Sequence, residues 1–188
     1  MRRYWRPFIG MLILVALLLG NLYIYRDNQA SAHFGAHWHR NAPLYLNVAN
    51  YASRYSLADA AITDQYQNIS SLYWTKTTSN VNVFVFDGDY GIQNWCGAAF
   101  VDAPGGHIQG QPEAKYNGDP QMNCGQNDPY FIQGVFCQEL AHTWGQGHHN
   151  EGTNGTCMAL NNYQTNTNYR VSDHDNADFN ATYSNHIP

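Results

Sequence analysis

Four residues in the last third of the chain have the types and the spacing of a metal-dependent hydrolytic site. Gln138 and His142 are four residues apart, so on a helix they project from one face and can both reach one ion. Gly145 allows a sharp turn of the chain, which would return His148 towards that ion as a third ligand. A divalent cation held by three protein groups keeps a position for water, whose proton Glu139 would accept.

A helix must position these side chains, and the sequence marks where that helix begins and ends. Asp128 can accept hydrogen bonds from the first free amides of a helix. Pro129 suits the first helical position, because the backbone N–H that it lacks would have no partner within the helix. Gly145 is placed to end the helix in a left-handed turn. We therefore predict an active-site helix over 129–144. Its apolar residues fall on one broad face: Phe131, Ile132, Val135, Phe136 and Leu140.

Alternating and β-branched segments before this helix predict a small sheet with a second helix behind it. Pro112 interrupts two short segments and therefore indicates a strand at the edge of the sheet. The chain after Gly145 is rich in Asn, Gly and Thr and predicts little regular structure before residue 173. The predicted elements are strands at 43–51, 81–86, 97–101, 107–110 and 114–116, and helices at 57–72 and 173–183.

The amino-terminal residues predict export of the chain. Three arginines within the first seven residues precede an apolar run at 8–25, a pattern that sends the following chain across a membrane. Ala30, Ser31 and Ala32 have the small side chains of a cleavage signal. We expect a secreted protein or, if the run stays uncleaved, one anchored on the extracytoplasmic side. The expected divisions are a signal peptide or signal anchor at 1–32, a lead-in segment at 33–42 and a single domain at 43–188.

Composition excludes one class of partner. Only 12% of the 188 residues are charged, and the formal net charge is -5. No basic surface is therefore expected that could neutralise phosphates, and nucleic acid is excluded as a partner. The exported part is long enough for one core, and we expect a monomer.

The chain has four cysteines, Cys96, Cys124, Cys137 and Cys157. Outside the cytoplasm they are expected to form two disulfides rather than to remain thiols. Their positions alone leave three pairings open.

The spacing Q-E-x-x-H-x-x-G-x-x-H resembles the zinc-binding signature HExxHxxGxxH of the metzincin metallopeptidases, with Gln138 in place of the first His. Metzincins carry a Met-turn beneath the metal, and Met158 fits that role. The segments CQELAHTWGQGHH, GTCMAL and SDHDNADFNATYSNH also resemble a group of secreted bacterial metzincin-like proteins in which Gln replaces the first His. The resemblance covers 43–186 and is strongest at 137–158.

This resemblance implies an α/β (α+β) fold in a single domain, with a small twisted mixed sheet, a backing helix, the active-site helix and a Met-turn. It implies one zinc ion with Gln138, His142 and His148 as ligands. Glu139 would then act as the general base and acid that activates a water molecule held by the ion.

The resemblance also suggests the cysteine pairing and a further polar group. Cys137 would pair with Cys157, joining the active-site helix to the Met-turn, and Cys96 would pair with Cys124. Tyr163 is a candidate for the tyrosine that supports the transition state in several metzincins.

We therefore expect an extracytoplasmic zinc metalloendopeptidase that hydrolyses peptide bonds in peptide or protein substrates. The amide oxygen of Gln138 is a poorer zinc ligand than imidazole, so an alternative stays open. In that alternative the protein is a metzincin-like pseudoenzyme that serves as a secreted binding module. A third interpretation, a membrane-anchored structural protein, rests only on the apolar run at 8–25.

The other histidines receive structural interpretations. His149 is expected to face solvent. His107 is expected to flank an edge strand, although the metzincin resemblance implies a position near the cleft. His174 and Asp175 are expected to cap or fix the last helix. The three histidines of the lead-in segment are interpreted as incidental rather than as a metal site.

Overall fold

The computed structural model describes residues 35–149, 155–159 and 169–184. The expected signal segment at 1–32 lies outside these residues. None of the helices in the described ranges has the length and apolar composition of a membrane span. Within these ranges the strands are His37–Trp38 (β1), Leu44–Asn50 (β2), Leu72–Lys76 (β3), Val83–Gly88 (β4), Gly97–Asp102 (β5) and His107–Asn117 (β6), and the helices are Tyr55–Asn68 (α1), Pro129–His142 (α2) and Asp173–Tyr183 (α3).

Four parallel strands form the centre of the sheet, in the order β3, β2, β4, β6. On the other side of β6 the strand β5 runs antiparallel, and β1 pairs in parallel with the first residues of β6. Parallel neighbours need a crossover, and α1 provides it between β2 and β3. The expected mixed α/β fold is confirmed at this level by the sheet and the three helices.

The two longer helices cover one face of the sheet. Helix α1 packs against β2 and β3, α2 packs against β5 and β6, and the two helices contact each other. In β2 the side chains of Leu44, Leu46 and Val48 are buried, whereas Tyr45 between them is exposed. Each buried aliphatic side chain contributes about 1.5–3 kcal/mol to folding, so the buried residues of β2 contribute substantially to the stability of the domain.

Strand β6 differs from the prediction, because it is one continuous strand between β4 and β5 rather than two short edge segments. Pairing with β4 begins at Glu113, one residue after Pro112. On the other side the register with β5 shifts between Phe100 and Asp102. The amide that Pro112 lacks therefore falls where the ladder is irregular, which a proline tolerates.

The helix predicted at 57–72 is shorter than expected, because α1 ends at Asn68 and Leu72 begins the strand β3. Ser71 has a backbone φ of 70°, which no right-handed helix contains. The apolar spacing up to Leu72 is compatible with a longer helix. The turn between α1 and β3 contains no glycine or proline that would indicate it in the sequence.

The lead-in segment is part of the folded domain from residue 35 onwards. The indole Nε1 of Trp38 donates to the carbonyl oxygen of Thr143 at 3.0 Å, and the backbone amide of Trp38 donates to the hydroxyl of Tyr183 at 3.1 Å. Trp38 is buried, as is Ala36. Trp38 therefore supplies two of the hydrogen bonds that hold this segment, one of them to the end of α2, although the segment has no repeated apolar pattern.

Two disulfides join the elements, Cys96–Cys124 and Cys137–Cys157. They are the two pairs that the metzincin resemblance implies. The second bond connects α2 to the segment that carries Met158, so it fixes the Met-containing segment beside the helix. Disulfides persist in oxidising compartments, which supports a location outside the cytoplasm.

A buried carboxylate fixes the loop that precedes α1. The side chain of Asp87, 1% exposed, accepts hydrogen bonds from the amide and hydroxyl of Ser53 and from the amide and guanidinium of Arg54. Burial alone would raise the pKa of Asp87, but these four bonds outweigh it and lower the pKa.

Replacement of Asp87 by Asn should lower the free energy of unfolding by about 1–3 kcal/mol at neutral pH, because charge-assisted hydrogen bonds are lost. The folded pKa is depressed, so this stabilisation is present above about pH 4 and is lost as the pH falls through the folded pKa. Denaturant unfolding at pH 7 and pH 3 measures the difference. Asp89→Asn, at an exposed position two residues further along the chain, is the control. An equal effect of the two variants would contradict the prediction.

Candidate metal centre

Helix α2 begins and is capped as the sequence indicates. The carboxylate of Asp128 accepts hydrogen bonds from the amides of Tyr130 and Phe131 at 2.9 and 3.2 Å, and Pro129 is the first helical residue. The helix ends at His142, two residues before the predicted end at Trp144. Residues 138, 139 and 142 are all buried.

The chain turns back on itself at Gly145, whose φ is +102°. The amides of Gly145 and Gln146 donate to the carbonyl oxygens of His142 and Ala141, which closes the end of the helix. A Cβ atom on Gly145 would overlap the carbonyl oxygen of Ala36 in the lead-in segment. Glycine is therefore required here both for the backbone angle and for the close approach of a second chain segment.

This turn brings two predicted ligands together. The Nε2 atoms of His142 and His148 lie 3.1 Å apart, and the two rings are nearly perpendicular. Two nitrogens bound to one tetrahedral zinc at about 2.0–2.1 Å would lie about 3.4 Å apart, so this separation suits a shared ion.

The hydrogen bonding of His142 fixes which ring nitrogen can bind a metal. Nδ1 lies 2.7 Å from the carbonyl oxygen of Gln146. A carbonyl oxygen only accepts, so the neutral ring carries its proton on Nδ1 and presents a lone pair at Nε2. Metal-binding histidines commonly use their second nitrogen in this way.

Both imidazoles are held in the neutral form that binds metals. Burial and the neighbouring His148 lower the pKa of His142 to about 4. Burial and the neighbouring His149 lower the pKa of His148. Near neutral pH neither ring has to lose a proton before it can bind a cation.

Gln138 offers the third donor. Its side chain is buried one helical turn before His142, and its Nε2 has no hydrogen-bond partner within the described part of the chain. The oxygen and nitrogen of an amide can exchange places by rotation of the group, and a cation would be a partner for the oxygen. One amide oxygen and two imidazoles form a donor set that suits zinc or a similar divalent transition ion, so the residues fit such an ion.

Glu139 lies between the ligands and faces the sheet. It accepts a hydrogen bond from the backbone amide of Ala99, and a Cβ atom on Gly97 would overlap its Oε1, so the carboxylate contacts β5 directly. Burial raises the pKa of Glu139 to about 8, and the bond from Ala99 opposes this only in part. A carboxyl group with such a raised pKa is suited to take up and release a proton near neutral pH.

Met158 is fully buried in the segment beside the candidate ligands. Its carbonyl oxygen accepts the amide of His149 at 2.9 Å, and its own amide donates to the hydroxyl of Thr156. The position of Met158 next to the returning chain is compatible with the predicted Met-turn. Tyr163 lies outside the described residues.

His149 does not face solvent, and that expectation was wrong. The residue is 5% exposed, and its Nε2 lies 2.8 Å from Oδ1 of Asp175. Asp175 also accepts from the hydroxyl of Thr156 and from Ser172, with which it forms the capping box of α3. Burial opposes ionisation of Asp175, but the hydrogen bonds from His149, Thr156 and Ser172 outweigh it and lower the pKa. The predicted role of Asp175 in fixing the last helix, Asp173–Tyr183, is confirmed.

A second group of possible metal ligands was missed in the sequence. Donor atoms of His149, His174 and Asp178 all lie within 4.8 Å of one another, so this partly buried group could hold a metal ion. His174 and Asp178 are four residues apart on α3, which is a detectable spacing. Their proximity to His149 follows only from the tertiary structure.

The lead-in histidines contact the start of β6. The rings of His37 and His39 lie 5.0 and 4.5 Å from the ring of His107, because β1 pairs with β6 at His37 and His107. The three rings therefore form one cluster where β1 pairs with β6.

The chain matches no protein-family model. It also matches no curated protein.

Replacement of Gly145 by Ala should lower the free energy of unfolding by about 2–5 kcal/mol, because strain at a positive φ adds to overlap with Ala36. Gly110→Ala is the matched control, since Gly110 also has a positive φ but open space around its Cα. That variant should lose only about 1–2 kcal/mol. Denaturant unfolding of both variants measures the difference, and equal losses would show that the contact with Ala36 has no weight.

Proposed function

We propose that the protein is an extracytoplasmic, metzincin-like metallopeptidase. Gln138, His142 and His148 would hold one divalent cation, with zinc as the expected ion, and Glu139 would be the catalytic base. The observation that carries the proposal is the 3.1 Å approach of the two imidazole Nε2 atoms, on neutral rings, beside a buried carboxyl group.

The architecture supports a site for an extended substrate. Strand β5 is antiparallel and lies beyond β6 at the side of the sheet, next to α2. Glu139 contacts Gly97 and Ala99 on this strand. A peptide that lay along β5 in an extended conformation would therefore pass close to the carboxylate, and recognition by strand addition suits many sequences.

In the proposed mechanism the cation and the protein have separate roles. When bound, a divalent cation would lower the pKa of a water ligand and polarise the carbonyl of the scissile bond. Glu139 would accept the proton of the attacking water on a carboxylate oxygen. It would then deliver that proton to the nitrogen of the leaving amine, so the carboxylate is restored at the end of the cycle. The apolar surroundings that raise its pKa favour this temporary uptake of a proton.

The surrounding structure would hold the base in place. Val135 and Glu139 both pack against Gly97, where no side chain intervenes. The amide of Ala99 fixes one carboxylate oxygen. A rigid base contributes more than a mobile one because the reacting geometry is already formed before the substrate binds.

Glu139→Gln should reduce hydrolysis of an unfolded protein substrate by about 10²–10⁴-fold, because the amide cannot accept the proton of water. The assay uses the purified full-length chain with added zinc. Glu113→Gln removes another carboxylate, on β6 and paired with Lys115, and should keep full activity. Zinc content is measured in parallel and should be unchanged in both variants.

Equal hydrolysis by the wild type and by Glu139→Gln would remove Glu139 from the mechanism. Stoichiometric zinc without hydrolysis, or no zinc at all, would instead favour the alternative of a metzincin-like binding module. The amide ligand Gln138 is the feature that favours this alternative, because it binds zinc more weakly than imidazole does.

Gln138→His should raise the zinc affinity, because it replaces a weak amide ligand by an imidazole. Mutation of a residue that only hydrogen-bonds to a metal ligand changes the affinity roughly 10- to 100-fold, and replacement of the ligand itself should change it by more. Competition with a zinc chelator measures the affinity. Gln133→His adds an imidazole to the same helix away from the ligands and should leave the affinity unchanged. No gain in the Gln138 variant would show that this residue does not face the ion.

A further inference from the structure

A second set of donor atoms lies between helix α3 and His149, the residue that directly follows the candidate ligand His148. His149 Nε2 is 3.7 Å from Asp178 Oδ2, and His174 Nε2 is 3.9 Å from the same oxygen. The rings of the two histidines are 4.4 Å apart. Ligands of a tetrahedral zinc lie about 3.4 Å apart, so these two nitrogen–oxygen distances are close to those around a bound ion, and all three donor atoms lie within 4.8 Å of one another.

The polar groups around His149 Nε2 favour a cation bound to this nitrogen. This nitrogen is 2.8 Å from Oδ1 of Asp175, which only accepts, and 3.1 Å from Nε2 of Gln146, which only donates. If Nε2 carries a proton, it donates to Asp175, but its N–H then faces the N–H of Gln146. If Nε2 carries no proton, it accepts from Gln146, but its lone pair then faces the carboxylate of Asp175. A cation bound to the deprotonated nitrogen would attract both neighbouring carboxylates.

Gln146 provides a second, independent observation. Its side chain is fully buried, and its Nε2 donates to Oδ2 of Asp178 at 3.1 Å. Its Oε1 is buried and has no hydrogen-bond partner within the residues that the structure describes. An unpaired buried amide oxygen costs about 1–3 kcal/mol, and rotation of the amide would turn this oxygen towards His149 and Asp178, where a cation would offset that cost.

We propose that His149, His174 and Asp178 form a second divalent-cation site, separate from the one proposed at Gln138, His142 and His148. Two imidazoles and one carboxylate favour zinc, cobalt or nickel over magnesium and calcium, which prefer oxygen ligands alone. The cation would connect α3 to the chain that follows the turn, so it would stabilise the position of the neighbouring ligand His148.

The accessibility of the group suits binding from solution. His174 is 59% exposed and Asp178 is 16% exposed, whereas His149 is buried behind them. His174 and Asp178 are four residues apart on one face of α3, so the helix holds both at a fixed separation. An ion can therefore enter past His174 without unfolding the domain.

Zinc binding by the full-length chain tests the proposal, with zinc alone as the probe. His174→Ala should weaken one zinc site by at least about 100-fold, because a ligand is lost from an exposed position that contributes little to packing. His142→Ala should keep that site, because it removes only a ligand of the first centre. Equilibrium dialysis with elemental analysis gives the number of ions that each variant holds.

Asp178→Asn should have the same effect as His174→Ala. Asp173→Asn, which removes the same charge from an exposed position of α3, should have none. A second measurement is the rise in Tm on addition of zinc, which should shrink in His174→Ala and remain in Asp173→Asn.

The two proposals fail in different ways. If His174→Ala lacks an ion that His142→Ala still binds, the second site exists whether or not the protein is a peptidase. If His174→Ala binds as much zinc as the wild type, with the same rise in Tm, the second site is excluded. That result would leave the first centre and the role of Glu139 untouched.

Discussion

The turn at Gly145 is the constraint on which the rest of the site depends. It closes the active-site helix and directs the chain back so that the ring of His148 meets the ring of His142. The backbone of Ala36 lies so close that no side chain fits at Gly145. A segment more than a hundred residues earlier in the chain therefore decides whether the two imidazoles can share one ion.

Several buried polar contacts stabilise the end of the helix around this turn. Gln65 on α1 donates to the carbonyl oxygen of Cys137 and accepts from the indole of Trp144, so α1 is hydrogen-bonded to both ends of the ligand-bearing stretch. Trp38 donates to the carbonyl oxygen of Thr143. The free carbonyls at a helix end need partners, and here other segments of the chain provide them. Their positions leave the ligands little freedom to move.

The segment after the turn is held by a different kind of interaction. Asp175 gathers hydrogen bonds from His149, Thr156 and Ser172, which come from three separate parts of the chain. Together with the disulfide Cys137–Cys157, this carboxylate fixes a stretch with little regular structure. A chain in which only 12% of residues are charged thus places several carboxylates in its interior, where each has defined partners.

The sequence by itself determined those features that depend on contacts between residues close together in the chain. The helix start at Asp128 and Pro129, the one-turn spacing of Gln138 and His142, and the bounds of α3 follow from contacts within a few residues, which propensity and capping describe. Tertiary structure alone decided the continuity of β6 through Pro112, the burial of His149 and its meeting with α3. These features depend on residues far apart in the chain, and no local pattern records which segment will lie beside which.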